Sequence, residues 1–255
     1  MDELATTAVD RYWSAIRAAA GRALGHDPGT GTIVVPTPDR EGSDVAVVYP
    51  ARDVTLIWCS PRLAPTLNPL VGAHPLAVEE FVSACVPLGG DLVAYGNQRV
   101  LTTAAPMPDI DPSRLVSLDP TDREHVELLR RFLQECPEDD VDEAEIDIDE
   151  LDSAITVILT ETAQIAAYAS GRPWGFDPQF DDIGVLTHPH HRGHRLGSTA
   201  VAAFARRQQA ADRIMFYNCD VENVGSNRVA ETVGFQLVAT VAGVSFPSSE
   251  ALMPL

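Results

Sequence analysis

The chain has 255 residues, with 18 basic side chains against 37 acidic ones and a net charge of −19 at neutral pH. That length holds one large or two small domains with a real core, and so acidic a chain is a poor match for the phosphate backbone of a nucleic acid. All 18 basic residues are arginine, which removes Schiff-base lysine chemistry and the lysine of a Walker-type phosphate loop.

No apolar run reaches the ~18 residues of a membrane span. The start, MDELATTAVDRYW, carries early acids and no apolar core, so it does not read as a secretory leader. Cys59, Cys85, Cys136 and Cys219 are scattered with no C-x-x-C. A cytoplasmic protein with free thiols and no membrane contact is the expectation.

In chain order, residues 4–24 predict a helix with Leu4, Ala8, Tyr12, Ile16 and Ala20 on one stripe and Gly25 to end it. Strands are expected at Thr32–Val35, Asp44–Tyr49 and Val54–Cys59, and a loop with one helical turn at Pro61–Leu70. A helix follows at Leu76–Cys85, then a hairpin over Asp91–Thr103 bent at Gly96-Asn97. Three prolines within 106–112 resist regular structure and mark a linker. The reading is therefore two domains, 1–108 and 109–255. The first is a small α+β domain without a chemical motif. A degenerate copy of the second half, a substrate-side cap and a dimerisation module, hence a homodimer, all stay open for it.

In the second domain, Leu115–Leu118 reads as a strand and Asp119 or Thr121 as the cap of a helix running to about Cys136, with Val126, Leu129, Phe132 and Leu133 inward. Glu135–Asp152 is the acidic peak, eleven carboxylates in eighteen residues, and a solvated face is the plain account of it. Ala154–Leu159 and Gln164–Ala169 read as a hairpin, and Gly171–Pro178 as a loop. Arg213–Cys219 is a strand, two closing strands follow Phe235, and a loose tail starts at Pro247.

The chemistry concentrates between these elements. Ile183–Thr187 is a β-branched, mostly apolar run, a buried strand. A cationic, glycine-bearing turn follows from His188 to Gly197, then a helix over Ser198–Gln209 packed on one side. Strand, glycine turn and helix make a local anion site. The first N–H groups of the helix point outward unpaired and its dipole favours negative charge. Gly193 and Gly197 admit close approach, and Arg192 and Arg195 add donors suited to phosphate. From Asp182 to Asp212 no acid intervenes, while Arg192, Arg195, Arg206, Arg207 and four histidines lie inside, a basic island in an acidic chain.

The Arg192-x-x-x-x-Gly197 stretch, with Thr187, Pro189 and Gly193 leading in, resembles motif A of the GNAT superfamily of N-acetyltransferases, [Q/R]-x-x-G-x-[G/A]. Arg195 stands where that family usually has Gly. Asn223-x-x-Ser226 with Gly234-Phe235 is similar to the family's N-x-x-[S/A]…G-F segment. The resemblance spans roughly Leu115–Phe246. It implies an α+β, sandwich-like fold, a central mixed sheet flanked by helices. It implies acetyl transfer from acetyl-coenzyme A (acetyl-CoA) to a primary amine, by direct attack in a ternary complex. Backbone of Val185 and Thr187 is expected on the pantetheine arm. Arg192, Gly193, His194, Arg195, Leu196, Gly197 and Ser198 are expected around the pyrophosphate, with Asn223 touching the cofactor from the other side.

The amine needs a base, for which Asp182 is the first choice, ahead of Asp181 and Glu222. Many family members carry a Tyr acid seven residues after the Asn, where this chain has Ala230, so Ser226 or a water it holds is the substitute. The acidic peak, bordering the acceptor side, favours a small cationic amine as partner. A metal is not expected, because Arg192 and Arg195 flank His188, His190, His191 and His194. The rival from another class is a non-catalytic module of the same fold that binds CoA or a protein.

Overall fold

The computed structural model describes residues 3–146 and 155–247. Its chain order is α1 (Glu3–Leu24), β1 (Gly31–Pro36), β2 (Val45–Ala51), β3 (Val54–Cys59), α2 (Ala64–Leu67), α3 (Val78–Cys85), β4 (Asp91–Leu101), β5 (Leu115–Leu118), α4 (Arg123–Gln134), α5 (Glu138–Glu143), β6 (Ile155–Leu159), β7 (Ile165–Trp174), β8 (Asp177–Thr187), α6 (Leu196–Gln209), β9 (Ile214–Asp220), α7 (Val224–Val233) and β10 (Phe235–Ser245). Contacts divide it into two units. One comprises Arg99–Asn218, Asn223–Gln236 and the chain's start to Ala8; the other comprises Val9–Gln98, Cys219–Glu222 and the chain from Leu237. The division follows packing rather than chain order, because β10 supplies residues to both units.

In the second of these units, β1 runs parallel to β3, and β2 is antiparallel to both β3 and β10. Val34, Val48, Ile57, Leu67, Phe81, Ala242 and Val244 form its core with α3. Tyr12, Ile16 and Ala20 of the expected α1 stripe are fully buried. Two local expectations fail here. The proposed hairpin at Gly96-Asn97 is one straight strand, β4: neither residue takes the positive φ that a two-residue hairpin turn requires. The two strands expected after Phe235 are also one, because β10 runs eleven residues unbroken and pairs with β2 along its far half.

The other unit is built on β5-β6-β7-β8, antiparallel throughout, with β9 added parallel to β8. Each strand therefore offers alternate residues to two helical layers. On one side lies α6, whose Gln208 meets Asp181. On the other lies α4, where Leu129, Phe132, Tyr168 and Leu186 share a core with Val141 and Ala144. The cap of α4 is Asp122, which accepts from Glu124 N at 2.8 Å, while Asp119 closes a turn with Thr121. In α6 the run Ala200–Ala205 is buried on every face rather than on one. Small side chains let β7, β8 and α7 close round it, at a helix-propensity cost near zero for alanine.

Gly171–Pro178, expected as a loop, is instead the turn end of a β7–β8 hairpin, in which Arg172 pairs with Asp182 and Pro173 with Asp181. β6 reaches only as far as Ser170, so Pro173 lies on a free edge where its missing N–H does no harm.

Candidate active site

β8 and β9 pair at only three positions, Phe180↔Ile214, Asp181↔Met215 and Asp182↔Phe216. β8 then continues to Thr187 and β9 to Asp220 without each other. Among the described residues, Ile183–Thr187 thus keeps β7 on one side and has an open edge on the other. Backbone groups on an open edge are available to pair with an extended ligand.

The start of α6 stands beside that edge. Arg195 precedes the helix at φ 59°, the left-handed region, and gives it no side-chain cap. By contrast α4 and α7 are capped, by Asp122 and Asn223. Among the described residues no acceptor pairs with the N–H groups of Leu196, Gly197 and Ser198. These open donors meet the positive end of a 14-residue helix dipole. The left-handed backbone also explains the motif: glycine adopts it freely, while Arg195 bears a cost of roughly 1 kcal/mol. Gly197 is required for another reason. A Cβ there would stand 2.7 Å from Thr187 Oγ1, so glycine lets α6 begin against the end of β8.

The basic island is smaller in space than along the chain. Arg206 and Arg207 lie in the last turn of α6, bonded to Ala105 O and Ser117 Oγ, roughly 15 Å along the axis from its start. Arg192 is bonded to Thr187 O at 3.2 Å and to the carboxylate of Asp140 in α5. His194 and Arg195 are exposed beside the open donors.

Asp182 sits at the last paired position before the strands part. Its side chain is 19 % exposed. Burial raises its pKa to about 7, against the opposing pull of Arg172 and a hydrogen bond from Ile183 N–H. The neighbouring candidates have other employment. Asp181 is buried on the α6 side, where Arg213 binds it through two nitrogens and Gln208 donates at 2.9 Å. Glu222 is exposed, its N–H bonded to Asp220.

Asn223 caps α7, accepting from Ser226 N at 2.8 Å, and its amide donates to Glu143. Asn223→Ala should therefore cost about 1 kcal/mol, and Asn223→Ser, which still caps, much less; urea unfolding of the two variants measures the difference. Ser226 Oγ lies 2.8 Å from Tyr217 Oη. Ala230 is fully buried.

The described part of the acidic segment, up to Ile146, is pinned in four places: Glu135 to His188, Asp140 to Arg192, Glu143 to Asn223, and Glu145 to Arg172. Residues 147–152 of that segment lie outside the described residues. A bare Gly184 on β8 admits this backbone, since a Cβ would stand 2.6 Å from Ala144 O. Glu138, Asp139 and Asp142 are exposed.

The histidine turn has its own surroundings. His188 is buried, its Nε2 3.1 Å from Glu135 and its Nδ1 accepting from His190 N–H, so the ring carries its proton at Nε2. His188, His190 and His191 line a cavity of about 460 Å³ with Glu135, Gln164 and Ile165. Among the described residues no group of three or more His, Cys, Asp or Glu is placed to hold a metal. Cys59, Cys85 and Cys219 are buried, and no described helix is long and apolar enough to cross a membrane.

Sequence reasoning missed Arg172, Glu143 and Glu145. The one available signal was a turn centred at Gly175-Phe176, and regular pairing from it would set Arg172 opposite Gln179; an irregularity between Pro173 and Trp174 moves Arg172 to face Asp182 instead.

Residues 123–235, from the first residue of α4 to the first of β10, match the model of the Acetyltransferase (GNAT) family. No curated protein matches the chain. Among solved structures, a GCN5-related N-acetyltransferase from Sphaerobacter thermophilus aligns at 14 % identity and TM-score 0.49 over 90 % of each chain. A GNAT-family acetyltransferase from Colwellia psychrerythraea aligns at 8 % identity and 0.49, over 75 % of this chain and 76 % of that one. A GCN5-related N-acetyltransferase from Kribbella flavida aligns at 18 % identity and 0.45, over 66 % and 64 %.

Proposed function

We propose, from the premise that residues 123–235 form a GNAT acetyltransferase domain, that the chain transfers an acetyl group from acetyl-CoA to the primary amine of a small cation. The observation that carries the reading is the parting of β8 from β9 immediately after Asp182, with the uncapped start of α6 beside the opening. Acetyl-CoA fits the donors present: an extended arm for the free edge of Ile183–Thr187, and anionic phosphates for the open N–H groups of Leu196–Ser198. When bound, it supplies the acetyl group as a thioester.

The chain's own residues do the rest. Asp182, with a pKa of about 7, takes a proton from the acceptor ammonium and frees the nitrogen lone pair. An N–H on the open β8 edge is the donor for charge growing on the carbonyl oxygen. The departing thiol has an ordinary pKa of about 8.5, so no acid at Ala230 is required. His194 and Arg195 add positive charge beside the phosphates. Arg192 does so on leaving Asp140.

Glu138, Asp139 and Asp142 supply an exposed negative flank. That flank lies on the α4 side of the sheet, the face to which Asp182 also points by strand alternation. Such a field draws cationic acceptors and is screened over about 8–10 Å at moderate salt. The test is CoA thiol release with a panel of cationic and neutral amines at low and high salt. The KM of the cation should rise with salt and that of the neutral amine should not. Equal responses would remove the cationic acceptor. Tight CoA binding with no thiol release from any amine would favour a binding module instead.

A further inference from the structure

We propose that Arg172, itself held by Glu145, is a positioning residue for Asp182, fixing its carboxylate on the acceptor face and favouring its charged form. This rests on the reading of Asp182 as the base. Arg172 and Asp182 are direct partners in the β7–β8 register, so their side chains leave the same face of the sheet. Arg172 Nη2 stands 3.7 Å from Asp182 Oδ2, and the same nitrogen is ion-paired with Glu145. Glu145 is placed by the turn after α5, where its φ of 51° reverses the chain. The acidic segment thus reaches the base through one shared guanidinium.

Charged groups on the neighbouring elements are directed elsewhere. Of α5, Asp140 pairs with Arg192 and Glu143 accepts from Asn223. From the α6 side, Gln208 and Arg213 bind Asp181, on the opposite face. β9 offers the apolar Phe216 in register with Asp182. Among the described residues, Arg172 is therefore the cation that acts on this carboxylate, and Glu145 competes for it. Removing the cation leaves a desolvated carboxylate alone, which favours its protonated form; removing Glu145 releases the cation to Asp182 and does the reverse.

The experiment reads the Asp182 carboxylate directly, by carbon-13 NMR titration of aspartate-labelled protein without cofactor, alongside the pH profile of kcat/KM. Arg172→Gln should raise the Asp182 midpoint by about half to one pH unit, the smaller end reflecting a half-exposed guanidinium. Glu145→Gln should lower it, and Arg172→Lys should return it towards the wild-type value. The two side chains replaced, Arg172 and Glu145, are both exposed, so the variants should fold. A midpoint that stays put in Arg172→Gln and Glu145→Gln overturns the proposal. A midpoint that moves while the rate profile does not upholds the contact between the three residues and overturns Asp182 as the base.

Discussion

Asp182→Asn will lower kcat/KM by about 10²- to 10⁴-fold, the usual contribution of a positioned base, without unfolding the protein. Below its pKa of about 7 the wild-type carboxyl holds a proton and cannot accept another. The wild-type rate should therefore climb with pH through about 7 and level off, while the residual rate of Asp182→Asn follows only the acceptor's own ionisation. Stability should move the other way. The folded-state pKa lies above the ordinary 3.8, so between these values the folded chain keeps a proton that the unfolded chain has lost. Wild-type stability thus falls as pH rises from about 4 to 7, by up to about 4 kcal/mol from this group. Asparagine carries no such cost. At pH 8 Asp182→Asn should melt above wild type, and near pH 4 the gap should close. Full turnover in the variant would remove Asp182 from the chemistry; a loss of activity without the stability gain would mean that the carboxylate is solvated rather than buried.

The parts of this site that sequence revealed are those encoded locally. The end of β8 from Ile183, the turn and α6 fall within 27 consecutive residues, where apolar periodicity, glycine spacing and the absence of acid all register together. The sequence motif marks Asn223 as a cofactor contact, yet its capping of α7 is local as well, settled by a bond from Ser226 N three residues on. What failed were marks that carry two meanings. Gly96-Asn97 is a turn signal only if the backbone takes positive φ, and the straight path of β4 overrode it. Prolines at 173 and 178 read as loop, yet an edge tolerates them. Misreading that hairpin hid the pairing of Arg172 with Asp182. The links of Asp140 to Arg192 and Glu143 to Asn223 join residues 52 and 80 positions apart. No local pattern announces such links, and only the assembled sheet brings them together. The same holds for Asp181 and Asp182, adjacent in sequence and alike in composition. Strand alternation sends one to Arg213 as structure and leaves the other at the opening.

Gly197→Ala is expected to weaken CoA binding by about tenfold or more and to cost about 1–3 kcal/mol of stability, the range for an added methyl in a packed junction. The new Cβ would stand 2.7 Å from Thr187 Oγ1, with Val185 Cγ2 and Val229 Cγ2 at 3.6 and 3.7 Å. The valines are in ordinary contact; the hydroxyl is not. Thr187 is fixed by its pairing with Ala167 across β7, so α6 must give way. The N–H groups that move are those of Leu196, Gly197 and Ser198, and misplacement by about 1 Å at a ligand-binding element can cost two orders of magnitude. Thr187→Ala removes the obstructing oxygen and keeps the β8 backbone. On its own it should be mild, since Arg192 bonds the backbone carbonyl of Thr187, which the substitution keeps. Combined with Gly197→Ala it should recover most of both losses, giving a coupling of about 1–2 kcal/mol between the two positions. Calorimetric titration with CoA and urea unfolding of the four proteins in the cycle measure both quantities. Unchanged CoA affinity in Gly197→Ala would show that the phosphates do not sit at the start of α6. A double variant as weak as the single one would show that the constraint on Gly197 comes from α7 through Val229 rather than from the end of β8.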